Sequence, residues 1–156
     1  MRFRKKFVIG QIAFICLLLL HNVALACSCD LDMKLLSKPE AEQIRIAQKR
    51  AKAVFSGQVI DITVDEKSKS YWARIKVQRS WKNTTFDEVI IRGTTICCIC
   101  EYVFLPGENY LIYASDYDHA TKEYGTSICT RTVTLAQATT DLRVLGKGKT
   151  HSGDKR

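Results

Sequence analysis

Cysteine is the residue type in this chain whose number and spacing could support chemistry. The sequence has 156 residues, of which seven are cysteines. Two of them form the motif Cys27-Ser28-Cys29, and three more form the cluster Cys97-Cys98-Ile99-Cys100. Structural zinc sites normally use cysteine pairs separated by about two to four residues. The Cys27/Cys29 and Cys98/Cys100 pairs are separated by one residue, and this spacing favours disulfide bonds over a metal site.

The first 26 residues have the features of a secretory signal peptide. A basic start at residues 2–6 precedes a mostly apolar run over residues 7–20, and Ala24-Leu25-Ala26 forms a small-x-small cleavage site. The apolar run has 14 residues, which is shorter than the roughly 20 residues that a membrane-spanning helix needs. We therefore expect cleavage after Ala26, export to the periplasm or the extracellular space, and no membrane span.

Cleavage after Ala26 would leave a chain with an even number of cysteines, the first at its new N-terminus. The leader contains Cys16, so six cysteines would remain, at positions 27, 29, 97, 98, 100 and 129. An even count in an exported protein is typical of a disulfide framework. The adjacent residues Cys97 and Cys98 can either close a strained vicinal disulfide or pair between chains.

Histidine content argues against an enzyme. After removal of the leader only His119 and His151 remain, so a histidine-based triad or a three-histidine metal site is hard to assemble. A glycine-rich phosphate loop is also missing from the sequence. We expect no catalytic activity, no cofactor and no metal of the protein's own.

The net charge of +8 argues less for nucleic acid binding than it first suggests. The leader contributes +4 and residues 146–156 contribute +3, which leaves +1 on residues 27–145. A nearly neutral body does not attract the phosphate backbone. We therefore expect no nucleic acid partner, and a flexible basic tail over residues 146–156.

Hydrophobic periodicity predicts the elements that must position the cysteines. Capping-box patterns at Ser37 and Thr134 predict helices over residues 37–52 and 134–145, the second ending before Gly146. Alternating or buried apolar runs predict strands over residues 54–64, 71–81, 88–92, 110–114 and 124–131. The first two strands are expected to form a hairpin, with Gly57 at a bulge or a close approach in the first of them. The order favours one mostly β domain, residues 27–145, folded as a five-stranded OB-type barrel with flanking helices.

The predicted N-terminus has the chemistry of a zinc chelator. Disulfide bonds at Cys27 and Cys29 would hold the first residues rigidly, with Ser28 between them. An α-amine has a pKa of about 8, so it is readily available as a neutral nitrogen donor, and the Cys27 carbonyl oxygen can complete a five-membered chelate. Catalytic zinc keeps an open position that is held by water. Because an amine in that position would displace the nucleophilic water, the motif predicts an inhibitor of zinc enzymes.

Several stretches of the mature chain together match a known family pattern. They are Cys27-Ser28-Cys29, residues 51–57, Trp81-Lys82, Cys100 with Phe104, residues 107–114, and Cys129-Thr130-Arg131-Thr132. In these stretches the chain resembles the tissue inhibitors of metalloproteinases and their bacterial relatives, within the netrin-like group. The resemblance implies a five-stranded OB-like barrel and a secreted, monomeric protein whose partner is a zinc metalloproteinase.

The resemblance also implies roles for individual residues. It pairs Cys27 with Cys100 and Cys29 with Cys129. It assigns chelation of the target's zinc to the amine and carbonyl of Cys27, and it directs Ser28 into the specificity pocket. Cys98 and Ile99 are expected beside this inhibitory edge. The chain departs from the family pattern at Glu101, where the family usually has glycine.

Two other functions remain open from the sequence. A netrin-like binding module would use Cys27 and Cys29 only as disulfide cysteines, since one fold supports many functions. A bacterial lipoprotein would carry a lipid on the Cys27 thiol and an acyl group on its amine, which would abolish both the disulfide and the chelate. Ala24-Leu25-Ala26 fits ordinary signal cleavage better than lipoprotein processing.

Overall fold

The computed structural model describes residue 29, residues 33–95 and residues 100–151. This part is mostly β, with a curled half-barrel sheet and helices beside it, as the sequence predicted. The helices are α1 (Met33–Leu36), α2 (Glu40–Arg50) and α3 (Thr139–Leu145). The strands are β1 (Ala53–Asp65), β2 (Ser70–Lys82), β3 (Glu88–Thr94), β4 (Asn109–Ala114), β5 (Asp116–Asp118), β6 (Glu123–Gly125), β7 (Val133–Thr134) and β8 (Lys149–Thr150).

All eight strands described belong to one sheet. Its order is β5-β6-β3-β2-β1-β4-β7, and β8 pairs separately with β2. The predicted hairpin of β1 and β2 is confirmed, and β4 pairs antiparallel with the other side of β1. More strands are present than the five predicted. Strands β5, β7 and β8 have only two or three residues each, too few for a hydrophobic period to show.

Gly57 allows β1 to bend between its two neighbours. A Cβ atom on Gly57 would lie 2.4 Å from the carbonyl oxygen of Lys76 on β2, and the β1–β2 register shifts between Ser56 and Gly57. The close approach expected at this glycine is therefore confirmed. Because a bulge increases local twist, β1 can pair with β4 through its first half and with β2 along nearly its whole length.

Alternation along the strands divides the core into two clusters. In β4 the side chains of Tyr110 and Ile112 face one cluster, and those of Leu111 and Tyr113 face the other. The larger cluster also takes side chains from β1, β2, β3 and β6. The smaller one is covered by α2 and α3 and includes the partly buried Trp81. The helices therefore lie on one face of the sheet.

Both predicted capping boxes are wrong, and the helices begin later than expected. Helix α2 starts after Pro39, without a side-chain cap, because a proline disfavours helical geometry for the residue before it. At the second site Thr134 donates to Gln137 through its hydroxyl (2.9 Å) within a turn, and α3 starts only at Thr139. Gly146 follows α3 with φ +74°, as predicted for a residue that ends a helix.

The strand predicted over residues 124–131 ends at Gly125. Threonine hydroxyls after that point bond to the backbone and to one another, and these bonds replace a ladder. Thr126 donates to the Tyr113 carbonyl (3.1 Å), while Thr132 accepts the Tyr113 N–H (3.0 Å). The remaining residues form the turn that carries Cys129. The prediction of a strand over residues 126–131 is therefore wrong.

Lys82, at the end of β2, holds the C-terminus of α2. Its ammonium group donates to the carbonyl oxygens of Gln48 (3.1 Å), Lys49 (2.7 Å) and Ala51 (2.6 Å). A cation there satisfies carbonyls that a helix end leaves without intrahelical partners.

We expect Lys82→Met to lower the free energy of unfolding by about 1–2 kcal/mol, because these charge-assisted bonds are lost. Urea unfolding measures the change. Lys76→Met is the matched control, since Lys76 is an exposed lysine of the same strand. Equal losses in the two variants would contradict the capping role.

Candidate functional site

Cys29 and Cys129 form a disulfide bond. This is the pairing that the family resemblance implied. The bond joins residues 100 positions apart, with their Cα atoms 5.2 Å from each other. It attaches the segment before α1 to the turn that follows β6. The third residue of the C-x-C motif is therefore fixed against the sheet.

Cys100 is also disulfide-bonded. Its expected partner, Cys27, lies outside the described residues, and the pairing of these two stays a prediction. The signal peptide over residues 1–26 also falls outside them. So do the other residues expected at the inhibitory edge or in a vicinal disulfide, namely Ser28, Cys97, Cys98 and Ile99.

Backbone contacts join the segments of Cys100 and Cys129 into one edge. The Ile128 N–H donates to the Cys100 carbonyl (2.9 Å), and Glu101 forms an antiparallel bridge with Ser127. The Cys129 N–H donates to the Ser127 hydroxyl (3.2 Å). We call residues 100–101 and 127–129 the disulfide edge. Cysteines 29 positions apart in sequence are thereby placed on neighbouring backbone segments.

The segment that leaves the disulfide edge is anchored to the sheet. The Tyr71 hydroxyl on β2 donates to the Tyr102 carbonyl. Burial, together with the charge of Glu101, raises the pKa of Tyr71 to about 12. Burial also raises the pKa of Glu101, with Arg92 acting in the opposite direction. Glu101, the departure from the family pattern, thus adds a partly buried carboxyl group to this edge.

A buried ionic network supports the other side of the disulfide edge. Asp141, on α3, accepts bonds from the Tyr113 hydroxyl (2.7 Å) and from two nitrogens of Arg131, Nε (2.9 Å) and a terminal one (2.8 Å). Asp141 is only 5% exposed. Burial, and then the bond to Asp141, raises the pKa of Tyr113. Because Arg131 follows Cys129 by two residues, the network ties the cysteine turn to β4 and α3.

A mostly apolar cavity of about 340 Å³ opens beside the Cys29–Cys129 disulfide. Leu35 and Leu36 line one side, and Tyr113 and Cys129 line the other. Three large apolar side chains are also exposed, namely Ile128 in the disulfide edge, and Val103 and Leu105 in the segment that follows Glu101 in sequence. The surroundings of the edge therefore offer apolar surface that a protein partner could cover.

His151 is a structural residue that the sequence did not reveal. Residues 146–151, the described part of the predicted flexible tail, include β8, and the His151 side chain is only 3% exposed. Its Nε2 lies 2.8 Å from the Ser80 hydroxyl, and its Nδ1 lies 3.3 Å from an Asp87 carboxylate oxygen. This order resembles a nucleophile–base–acid triad. Ser80 is only 5% exposed, however, so we interpret the set as an anchor for the C-terminal segment.

Gly146 and Gly148 are the only sequence signal that points to this anchor. Both adopt positive φ angles, +74° and +62°, and two closely spaced glycines are typical of a chain reversal. Nothing in the sequence indicates which strand the reversed chain would join.

The described residues show neither a metal-binding cluster nor a membrane-spanning helix. Among the described residues, no group of three or more histidine, cysteine or acidic side chains is arranged to hold a metal ion. None of the helices in the described ranges is both long and apolar enough to cross a membrane. No family model matches the chain, and no curated protein matches it either.

Proposed function

We propose that this protein is an exported inhibitor of zinc metalloendopeptidases, of the tissue-inhibitor type. The amine and carbonyl of Cys27 chelate the target's zinc, and Ser28 enters its specificity pocket. Cys98 and Ile99 lie beside that contact. The Cys29–Cys129 disulfide is the observation that carries the proposal. It has the pairing that such an inhibitor needs, and it fixes the third residue of the motif.

The disulfide restricts the proposed chelating group physically. Two residues span at most about 7 Å when extended, so Cys27 is confined to the neighbourhood of Cys29. A second bond from Cys27 to Cys100 would remove most of the remaining freedom. A preorganised N-terminus loses little conformational entropy when it binds, and this favours tight binding by only a few residues.

We also propose that the curled sheet is an OB-type barrel. Its five main strands are β1, β2, β3, β4 and β6. They follow the order β6-β3-β2-β1-β4, in which β3 and β6 pair in parallel and the other neighbours pair antiparallel. This arrangement supports a partly open Greek-key barrel. Disulfide bonds persist in oxidising compartments, and this supports export.

The proposal is tested with the mature protein and a panel of zinc endopeptidases. We expect inhibition by the protein that begins at Cys27. One added alanine before Cys27 should raise the inhibition constant at least about 100-fold, because the chelating amine is moved away from the metal. The extension leaves every lysine and every disulfide unchanged, so the two proteins form a matched pair.

Intact-mass measurement separates the proposal from its alternatives. The mass of residues 27–156 less six hydrogens would support three disulfides and a free amine. An added acyl mass would contradict the inhibitor mechanism and identify a lipoprotein. A free-amine protein that leaves every enzyme of the panel active would also contradict it, and would favour a netrin-like binding module.

A further inference from the structure

We propose that residues 146–151 form a releasable strap that closes the edge of β2, with His151 as its anchor. This inference is independent of the proposed inhibitory function. It concerns the end of β2 that β3 does not cover. Strand β3 pairs with β2 from Ser70 to Lys76, and just before β3 the Asp87 carbonyl accepts the Val77 N–H (2.7 Å). The strap covers the next residues of that edge, from Gln78 to Ser80.

Main-chain contacts place the strap along this edge. Thr150 pairs with Arg79, and Lys149 pairs with Ser80. The His151 N–H donates to the Gln78 carbonyl (2.9 Å). The strap therefore continues the sheet for three residues beyond the part of β2 that pairs with β3.

Side-chain contacts hold the two ends of the strap. At its start, the Trp81 indole N–H donates to the Gly146 carbonyl (2.8 Å). At its end, the buried His151 ring contacts the Ser80 hydroxyl and the Asp87 carboxylate. Gly148 lies so close to Trp81 that a Cβ atom there would be 2.7 Å from the indole nitrogen. These contacts require a glycine at position 148 and a histidine at position 151.

The strap is held by few contacts, and this makes it releasable. Its ladder has two residue pairs, and residues 146–150 are exposed. Glycine at 146 and 148 adds conformational entropy that closure must overcome. Segments with few buried contacts open locally well before the whole domain unfolds. An opened strap would uncover the backbone groups of Gln78 and Ser80.

An uncovered sheet edge binds extended segments through its backbone. The strap itself shows the pattern that this edge accepts. It has glycine against Trp81 and, three residues later, an imidazole that reaches Ser80 and Asp87. The partner that fits is an extended peptide segment of this pattern. The strap thus controls access to the β2 edge.

Hydrogen exchange on the full chain tests the strap. In His151→Ala we expect the amide of residue 151 to exchange about ten- to a hundredfold faster than in wild type, because two side-chain hydrogen bonds are lost. Amides between β1 and β4 should be unchanged, and this result would show that the domain stays folded. Lys149→Ala is the matched control, since its exposed side chain makes no such contact among the described bonds.

A second variant and a rescue complete the test. Trp81→Phe keeps an aromatic ring but removes the donor to Gly146, so it should also speed exchange at residue 151. A synthetic peptide of residues 146–151, added to His151→Ala at millimolar concentration, should slow exchange of the Ser80 amide, which faces the strap where Ser80 pairs with Lys149. The same peptide with alanine at position 151 should not. Equal exchange in wild type and both variants, or no rescue by the peptide, would overturn the proposal.

Discussion

Replacing both Cys29 and Cys129 with alanine is expected to lower the free energy of unfolding by about 4 kcal/mol. The bond closes a loop over residues 100 positions apart, and in the chain-entropy model such a cross-link restricts the unfolded state by roughly this amount. Typical domains are stable by only about 5–15 kcal/mol. The double variant should therefore be close to the limit of folding. Urea unfolding at constant temperature measures the loss.

A neighbouring substitution controls for local packing effects. Ile128 lies next to Cys129 and is 51% exposed, so Ile128→Ala should change stability by at most about 0.5 kcal/mol. A loss below about 1 kcal/mol in the double cysteine variant would contradict the idea that closure of the long loop stabilises the domain. In a double variant that still folds, loss of the anchor at position 29 should also weaken the proposed inhibition, because Cys27 is then held only by its proposed bond to Cys100.

Asp141→Asn is expected to lower the free energy of unfolding by about 3 kcal/mol. The carboxylate is buried, and it accepts two bonds from the Arg131 guanidinium and one from the Tyr113 hydroxyl. An amide has one acceptor oxygen and no charge. It therefore leaves at least one of these three donors without an acceptor, and it leaves the Arg131 guanidinium without its buried counter-ion. Removing one member of a buried ion pair is costly because the other charge stays desolvated.

The same arginine provides a matched control. Glu40 lies 3.5 Å from Arg131 and is 58% exposed, so Glu40→Gln should cost at most about 0.5 kcal/mol. The double change Asp141→Leu with Arg131→Met removes both charges, and it should recover part of the loss. If Asp141→Asn lowers the free energy of unfolding as little as Glu40→Gln does, the buried network does not support the disulfide edge.

Local patterns predicted the strands whose burial is visible in the order of apolar and polar residues. The alternation over residues 71–81 correctly indicated a half-buried strand that forms a hairpin with its predecessor. The apolar run at residues 110–114 correctly indicated β4. The first signal works because burial of one face imposes a period of two on a strand. The second works because a strand that is covered on both faces is apolar throughout. The capping boxes failed because Pro39 and the turn after Thr134 outweighed the capping residues.

The candidate site was predicted less completely. The Cys29–Cys129 pairing came from the family resemblance, since six cysteines allow many pairings and spacing alone does not choose among them. The joining of the Cys100 and Cys129 segments depends on a single backbone bond from Ile128 and on the bridge between Glu101 and Ser127. Backbone contacts of this kind do not depend on residue type, so the sequence does not reveal them.

The order of residues was enough to indicate a mostly β chain, the long hairpin, the buried β4 strand and an unusual C-x-C motif. The parallel pairing of β3 with β6, the burial of Asp141 and the anchoring of the strap by His151 became visible only in the folded chain. His151 meets Ser80 across 71 positions. Such contacts depend on where distant elements come together, and hydrophobic periodicity reports only which face of an element is buried. A histidine in a polar tail therefore looked like a solvated residue until the sheet placed it beside Ser80.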